Sequence, residues 1–130
     1  MADWQTRPLP EAADVLAPDG SEVRLLAGIG RGSMAHFKLL PGQVSKAVAH
    51  RTVEELWYIV GGEGRMWRAH DGEEEVVALR PGLSLSIPTG ARFQFRCDGD
   101  APLEAVGVTM PPWPGEDEAY EVEGVWEAVV

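Results

Sequence analysis

Pairs of turn-forming residues interrupt this chain at short and nearly regular intervals, and they limit it to short strands. Six such dipeptides occur between residues 19 and 99, namely Asp19–Gly20, Pro41–Gly42, Gly61–Gly62, Asp71–Gly72, Pro81–Gly82 and Asp98–Gly99. We predict strands between them, near Glu22–Ala27, Met34–Leu40, Val44–His50, Leu56–Val60, Arg65–Ala69, Glu74–Leu79, Leu83–Ile87, Arg92–Cys97 and Leu103–Thr109. Strands at this spacing predict an all-β fold, built as an antiparallel sandwich or barrel.

The two ends of the chain differ in composition from this strand-rich centre. With 130 residues, the chain has the length of a single domain. Residues 1–20 contain three prolines, so we expect an N-terminal extension in which only residues 11–16 form a helical turn or two. Residues 21–110 form the predicted barrel, and residues 111–130 form an acidic tail that contains proline and tryptophan. Because Trp113, Tyr120 and Trp126 make this tail too apolar to be free, we expect it to pack on the barrel or on a partner subunit.

Charge and cysteine content exclude several classes of partner and environment. The formal net charge of −10 argues against nucleic acid and anionic membranes as partners, because both require basic patches. Cys97 is the single cysteine, so no disulfide can form within the chain, and a reducing compartment is favoured. No apolar run approaches the length of a membrane span. These features predict a soluble, cytoplasmic protein.

The stretch from residue 41 to residue 67 carries His and Glu at the inner ends of two predicted strands. Its spaced positions are Gly42, Val48, His50, Glu55 and Gly62, and a second framework consists of Gly82, Pro88, Gly90, Phe93 and Cys97. These spacings resemble the two motifs of the cupin family, G-x5-H-x-H-x3/4-E-x6-G and G-x5-P-x-G-x2-H-x3-N, over roughly residues 34–110. The resemblance implies a small antiparallel jelly-roll β-barrel that commonly forms a homodimer.

The resemblance also implies a divalent metal held by three His and one Glu, but only part of that ligand set is present. Val48 and Phe93 stand at two of the His positions, so His50 and Glu55 remain. Stable first-row metal sites use three or four protein ligands. We therefore expect a degenerate site that binds Zn, Ni, Mn or Fe weakly or not at all. His36 is a further candidate ligand, because the residues around it do not decide which face of its strand is buried.

Strand alternation predicts what surrounds His50 and Glu55. Glu55 and Trp57 share one face of their strand, and Phe93 and Phe95 share one face of another. With Val48 these side chains form an aromatic-lined pocket whose polar groups are His50 and Glu55. Such a pocket is typical of a binding site for a small organic molecule.

Other functions remain open at this point. His50 and Glu55 are also candidate catalytic residues, either as a metal-free acid/base pair of an isomerase or epimerase, or as ligands in a metal-dependent oxygenase or isomerase. The barrel can also be filled by its own side chains and carry out no chemistry. A last alternative is an accessory protein whose sheet or tail binds a partner protein. The fold alone does not choose among these functions.

Overall fold

A computed structural model describes residues 3–130, which form eleven strands. In chain order they are β1 (Val15–Leu16), β2 (Glu22–Ile29), β3 (Gly32–Leu39), β4 (Val48–His50), β5 (Glu54–Gly61), β6 (Gly64–His70), β7 (Glu73–Leu79), β8 (Ser84–Ile87), β9 (Arg92–Cys97), β10 (Leu103–Met110) and β11 (Ala119–Glu121). Within this part of the chain, no helix is long and apolar enough to cross a membrane.

The strands form two antiparallel sheets that enclose one core. The first sheet has the order β1-β2-β3-β10-β5-β8, and the second has the order β11-β4-β9-β6-β7. All the pairings are antiparallel, and neighbours in the sheets are mostly distant in the sequence. This arrangement is a jelly-roll barrel, so the all-β antiparallel prediction is confirmed.

All nine predicted strands are present, and two local predictions are wrong. The strand expected from Val44 is limited to Val48–His50, because Val44 instead forms isolated bridges to Arg96 and Val129. Residues 11–16 form no helical turn, since Val15 and Leu16 pair with β2. The Arg24 guanidinium donates hydrogen bonds to the carbonyls of Pro10 and Glu11, which holds the chain before β1 extended.

Side-chain alternation on β5 shows how the sequence determines the core. Glu55, Trp57 and Ile59 are buried, whereas Leu56 and Tyr58 between them are exposed. Successive strand residues point to opposite sides of a sheet, so one face of β5 lines the barrel and the other faces outward. The inward face meets the second sheet, where the Trp57 and Phe95 rings lie 4.9 Å apart.

The C-terminal tail packs against the outer face of the second sheet of its own chain. β11 pairs with β4, and Val129 pairs with Val44. The buried Gln94 amide donates to the carbonyls of Ser45 and Trp126 and accepts from the amides of Val125 and Trp126. One amide on β9 thus fixes residues 125 and 126 to the barrel.

Candidate functional site

His50 and Glu55 come together because a three-residue turn joins the end of β4 to the start of β5. Their side chains are 4 % and 3 % exposed, and His50 Nδ1 lies 3.7 Å from Glu55 Oε1. The Glu118 carboxylate holds this turn, since it accepts hydrogen bonds from the amides of Thr52 and Val53. The site therefore has a fixed backbone and no direct access to bulk solvent.

Aromatic rings surround the two polar side chains. Phe37 stacks on Trp57 with ring centroids 5.0 Å apart. Phe93 packs edge-on with both His50 and Trp57, with centroid distances of 5.3 Å and 6.3 Å. Val48 lies opposite Phe93 on the neighbouring strand and belongs to the same buried cluster as Phe95. The four residues named from the sequence as ligand-binding therefore lie together around one site.

Burial removes the charge from both polar groups at neutral pH. Desolvation raises the pKa of Glu55 to about 8, although the nearby Trp57 indole N–H opposes part of this rise. Desolvation also lowers the pKa of His50 to about 4, against the attraction of Glu118. At pH 7 the carboxyl is therefore protonated and the imidazole is neutral.

Two polar atoms at this site have no hydrogen-bond partner among residues 3–130. They are His50 Nδ1 and Trp57 Nε1, and both are buried. The Trp57 N–H approaches the Glu55 carboxyl closely enough to affect its pKa but lacks the geometry of a formed hydrogen bond. Most buried polar atoms in proteins are paired, so these exceptions require an explanation.

The donor set does not fit a resident metal ion. Across residues 3–130, no three His, Cys, Asp or Glu side chains are placed to hold one. His36 lies on the other side of β3 from the inward-facing Phe37, and its Nε2 pairs with Glu104 Oε1 at 3.1 Å. The interpretation of His36 as an additional ligand was wrong, because it faces away from His50. The site has two side-chain donors and the apolar Val48 and Phe93 beside them.

Two residues that complete the site were not identified from the sequence. The Trp113 ring lies edge-on to His50 at a centroid distance of 5.2 Å and covers it from the solvent side. Gly107 on β10 leaves the space that Glu55 and Phe37 occupy: a Cβ there would lie 3.0 Å from Glu55 Oε2 and 2.6 Å from Phe37 Cε2. A glycine inside an apolar strand is a signal of close approach. The position of Trp113 has no comparable signal in the sequence.

The site is closed to solvent. His50, Glu55, Trp57 and Phe93 are all buried, and Trp113 covers the outer end. A surface cleft of about 580 Å³ lies elsewhere, beside the β6–β7 turn, with His70 and Arg92 in its wall. A ligand of the His50–Glu55 site must therefore displace a side chain in order to enter.

Known proteins with similar sequences match only a short part of their own length. Alginate biosynthesis protein AlgA of Pseudomonas fluorescens is 27 % identical over 113 residues, which cover 87 % of this chain and 22 % of that protein. Xanthan biosynthesis protein XanB of Xanthomonas campestris pv. campestris is 27 % identical over 96 residues, or 74 % of this chain and 20 % of that protein. The chain thus spans about a fifth of the length of these relatives.

Solved structures share the fold at low sequence identity. A double-stranded beta-helix protein from Klebsiella pneumoniae subsp. pneumoniae has a TM-score of 0.64 at 18 % identity, with 92 % of this chain and 91 % of that chain covered. Oxalate decarboxylase from Bacillus subtilis has a TM-score of 0.69 at 18 % identity, with 82 % and 29 % covered. The model of the Cupin domain matches residues 35–109. The chain is therefore a member of the cupin family.

Proposed function

We propose that this protein binds a small, neutral organic molecule that carries a hydroxyl or carbonyl oxygen, at His50, Glu55 and Trp57. The observation that carries the proposal is the pair of buried atoms, His50 Nδ1 and Trp57 Nε1, that have no partner within the described chain. A buried polar atom without a partner costs about 1–3 kcal/mol. A ligand oxygen that accepts from the indole N–H and contacts the imidazole would recover this cost.

The ligand is neutral because the site itself is neutral at pH 7. With a pKa of about 8, the Glu55 carboxyl keeps its proton and acts as a hydrogen-bond donor. His50, with a pKa of about 4, carries no positive charge that would pair with an anion. A charged ligand would lose its hydration without gaining an opposite charge. The aromatic rings of Trp57 and Phe93 favour a ring-shaped or apolar body next to the polar atom.

A ligand screen with a charged and an uncharged ring of similar size tests this proposal. Cyclohexanone, phenol and methyl mannoside are neutral, benzoate is the anionic counterpart, and binding is followed by protein NMR. The relatives named for alginate and xanthan biosynthesis are the reason for including a sugar derivative. We expect chemical-shift changes at Trp57 Nε1 with a neutral compound and none with benzoate. Equal or stronger binding of benzoate contradicts the proposal.

The contribution of the indole N–H can be isolated with a matched pair of variants. Trp57→Phe removes the N–H and keeps an aromatic ring, while Tyr58→Phe removes a polar atom from the outward face of the same strand. One hydrogen bond is worth about 0.5–1.5 kcal/mol, so Trp57→Phe should weaken binding about two- to tenfold. Tyr58→Phe should leave the affinity unchanged. If both variants bind alike, the ligand does not use Trp57.

A metal-free isomerase is the second candidate, and the opposite protonation preferences of the two groups favour it. Neutral His50 can accept a proton from the carbon next to a ligand carbonyl, while protonated Glu55 donates a proton to the carbonyl oxygen. With a hydroxyl on the α carbon the product is an enediol. His50 then returns its proton to the former carbonyl carbon, while ionised Glu55 takes the proton of the α-hydroxyl, which becomes the new carbonyl, so that both residues regain their starting forms. Both residues hold the required form at pH 7. The metal-dependent alternative does not fit the two-donor site.

Solvent exchange separates the enzyme from the binding protein. A carbonyl compound that binds in the screen is incubated with the protein in D2O, and deuterium at its α carbon is measured by NMR. An isomerase should incorporate deuterium faster than the His50→Ala variant does. Equal rates refute the catalytic role and leave the binding proposal intact.

We also propose that a second copy of the chain covers the outer face of the first sheet. Leu56 and Tyr58 are exposed there, and Val108 and Val106 lie beside them on β10, with Met34 next in the same row on β3. In a two-fold dimer the same apolar row of each copy would be buried against that of the other. Light scattering should give a dimer mass that Leu56→Lys halves. Val76→Lys is the control, because Val76 is exposed on the second sheet. A monomeric wild type at micromolar concentration contradicts this interface.

A further inference from the structure

Residues 111–118 form a segment, here called the mouth strap, that connects β10 to the residues before β11 and crosses the outer end of the site. Three of its eight residues are proline, with sequence PPWPGEDE. Proline fixes the backbone φ angle, so residues 111–114 form a stiff unit. Gly115 follows with a φ of +145°, a conformation that side-chain-bearing residues rarely adopt. The strap therefore combines a stiff arm with a glycine next to it.

The strap is attached unequally at its two ends. At the far end, the Glu118 carboxylate accepts hydrogen bonds from the amides of Thr52 and Val53 and from the Thr52 hydroxyl. At the near end, the Trp113 amide donates to Ser33 Oγ at 2.9 Å. The stronger attachment thus lies on the Glu118 side of Gly115, and the arm that carries Trp113 has the weaker one.

Trp113 differs from the other aromatic neighbours of His50 in its exposure. Trp113 is 37 % exposed, while Phe93, which also packs edge-on with His50, is 2 % exposed. Phe93 belongs to β9, so moving it would break the barrel. Trp113 can leave His50 without breaking a strand, at the cost of one hydrogen bond, one ring contact and exposure of the buried part of the indole. The open form is therefore the minor state.

We propose that Trp113 is the gate and the outer wall of the His50–Glu55 site. The strap between Met110 and Gly115 shifts, the indole leaves His50, and a molecule with about the size of one ring enters the space that the indole vacates. This inference rests on the proposed binding function, because it names the residue that controls access to the same site. His50, which packs against the indole, is the first group that such a molecule would reach, and its Nδ1 has no partner within the described chain.

The three histidines of this chain allow the gate to be tested without any ligand. Diethyl pyrocarbonate acylates neutral imidazole, and mass spectrometry gives the rate at each histidine separately. The His70 side chain is 38 % exposed, so its rate measures the activity of the reagent. The His36 side chain is 4 % exposed beside Glu104, so its rate measures the integrity of the fold. His50 has a lowered pKa and is neutral at pH 7, so protonation does not slow its reaction. Its rate therefore measures access.

Three variants separate the gate from a general loosening of the fold. In wild type we expect His50 to react much more slowly than His70. Trp113→Ala should raise the His50 rate by about tenfold, Ser33→Ala by about fivefold, and Trp113→Phe by no more than about twofold. The rates at His36 and His70 should stay unchanged in all three.

The outcomes are decisive in both directions. A His50 rate that is unaffected by both Trp113→Ala and Ser33→Ala overturns the gate, as does a wild-type His50 rate equal to that of His70. If Trp113→Ala also raises the rate at His36, the variant has loosened the barrel. The other two variants then decide: a His50 rate that is higher in Ser33→Ala than in Trp113→Phe supports the gate, and equal rates overturn it. If the labelling rates show a gate but no compound binds in the ligand screen, only the proposed binding function is refuted, since the labelling experiment uses no ligand.

Discussion

Replacement of Glu55 by glutamine should remove a specific part of the pH dependence of folding stability. Glu55 is buried, and its pKa rises from 4.5 to about 8 in the folded protein. An acid with a raised pKa keeps its proton in the folded state after the unfolded chain has lost it. The contribution of Glu55 to stability is therefore complete below pH 4.5 and declines as the pH rises towards 8. Glutamine resembles the protonated carboxyl and does not titrate.

The size of the effect follows from the two pKa values. Between pH 5.5 and 7.5 nearly one proton separates the folded from the unfolded state at Glu55, and each pH unit is worth about 1.4 kcal/mol. The wild type should lose about 2.5 kcal/mol of unfolding free energy relative to Glu55→Gln over this range. His50 acts in the opposite direction, because its lowered pKa makes the fold more stable as the pH rises from about 4 to 6.5. Its contribution cancels in the difference between the two proteins.

Urea unfolding at a series of pH values, followed by tryptophan fluorescence, measures this difference. Glu54→Gln is the matched control, since Glu54 precedes Glu55 on β5 but points to the exposed face. The difference between wild type and Glu55→Gln should grow steadily between pH 5.5 and 7.5, and the control should run parallel to wild type. Parallel curves for Glu55→Gln as well would mean that Glu55 is ionised in the folded protein. The neutral site would then be refuted.

Three further changes test other parts of the structure. Gly107→Ala should cost about 1–3 kcal/mol of unfolding free energy, because the new Cβ would lie 2.6 Å from Phe37 Cε2 and displace that ring. Gly28→Ala should be nearly neutral in the same urea assay, because the nearest atom to its Cβ is 3.6 Å away. Gln94→Leu leaves the amides and carbonyls of the tail unpaired, so it should cost about 2–4 kcal/mol and expose residues 125–126 to proteolysis. Plasma mass spectrometry should find far less than one metal ion per chain after incubation with zinc, nickel, manganese or ferrous iron. A stoichiometric metal that His50→Ala removes would overturn the two-donor site.

Local patterns in the sequence were sufficient to predict the strands and the main walls of the site. The turn dipeptides mark the strand ends, and the alternation on β5 places Glu55 and Trp57 inside the barrel. Phe93 and Phe95 follow by the same rule on β9. These predictions succeeded because the period of two depends only on the backbone of one strand.

Predictions that depend on contacts between distant segments were less successful. His36 is buried although it points away from the core, because Arg24 and Glu104 lie beside it on neighbouring strands. No pattern within β3 reports such burial. The strand from Val44 is interrupted because Val44 pairs with Val129 in the tail. The closure by Trp113 depends likewise on the path of the strap, which is set by the anchors at Ser33 and Glu118.

The protonation of Glu55 connects the loss of metal ligands to the class of ligand that the site can hold. A metal ion requires an ionised carboxylate, and at pH 7 the Glu55 carboxyl is held neutral by its burial. Val48 and Phe93 lie in the buried core at the positions where the family motifs have histidines. The site therefore lacks two donors, and burial suppresses the charge of a third. What remains is a protonated carboxyl, a neutral imidazole and an indole N–H, a set that suits an uncharged oxygen of an organic molecule better than a cation.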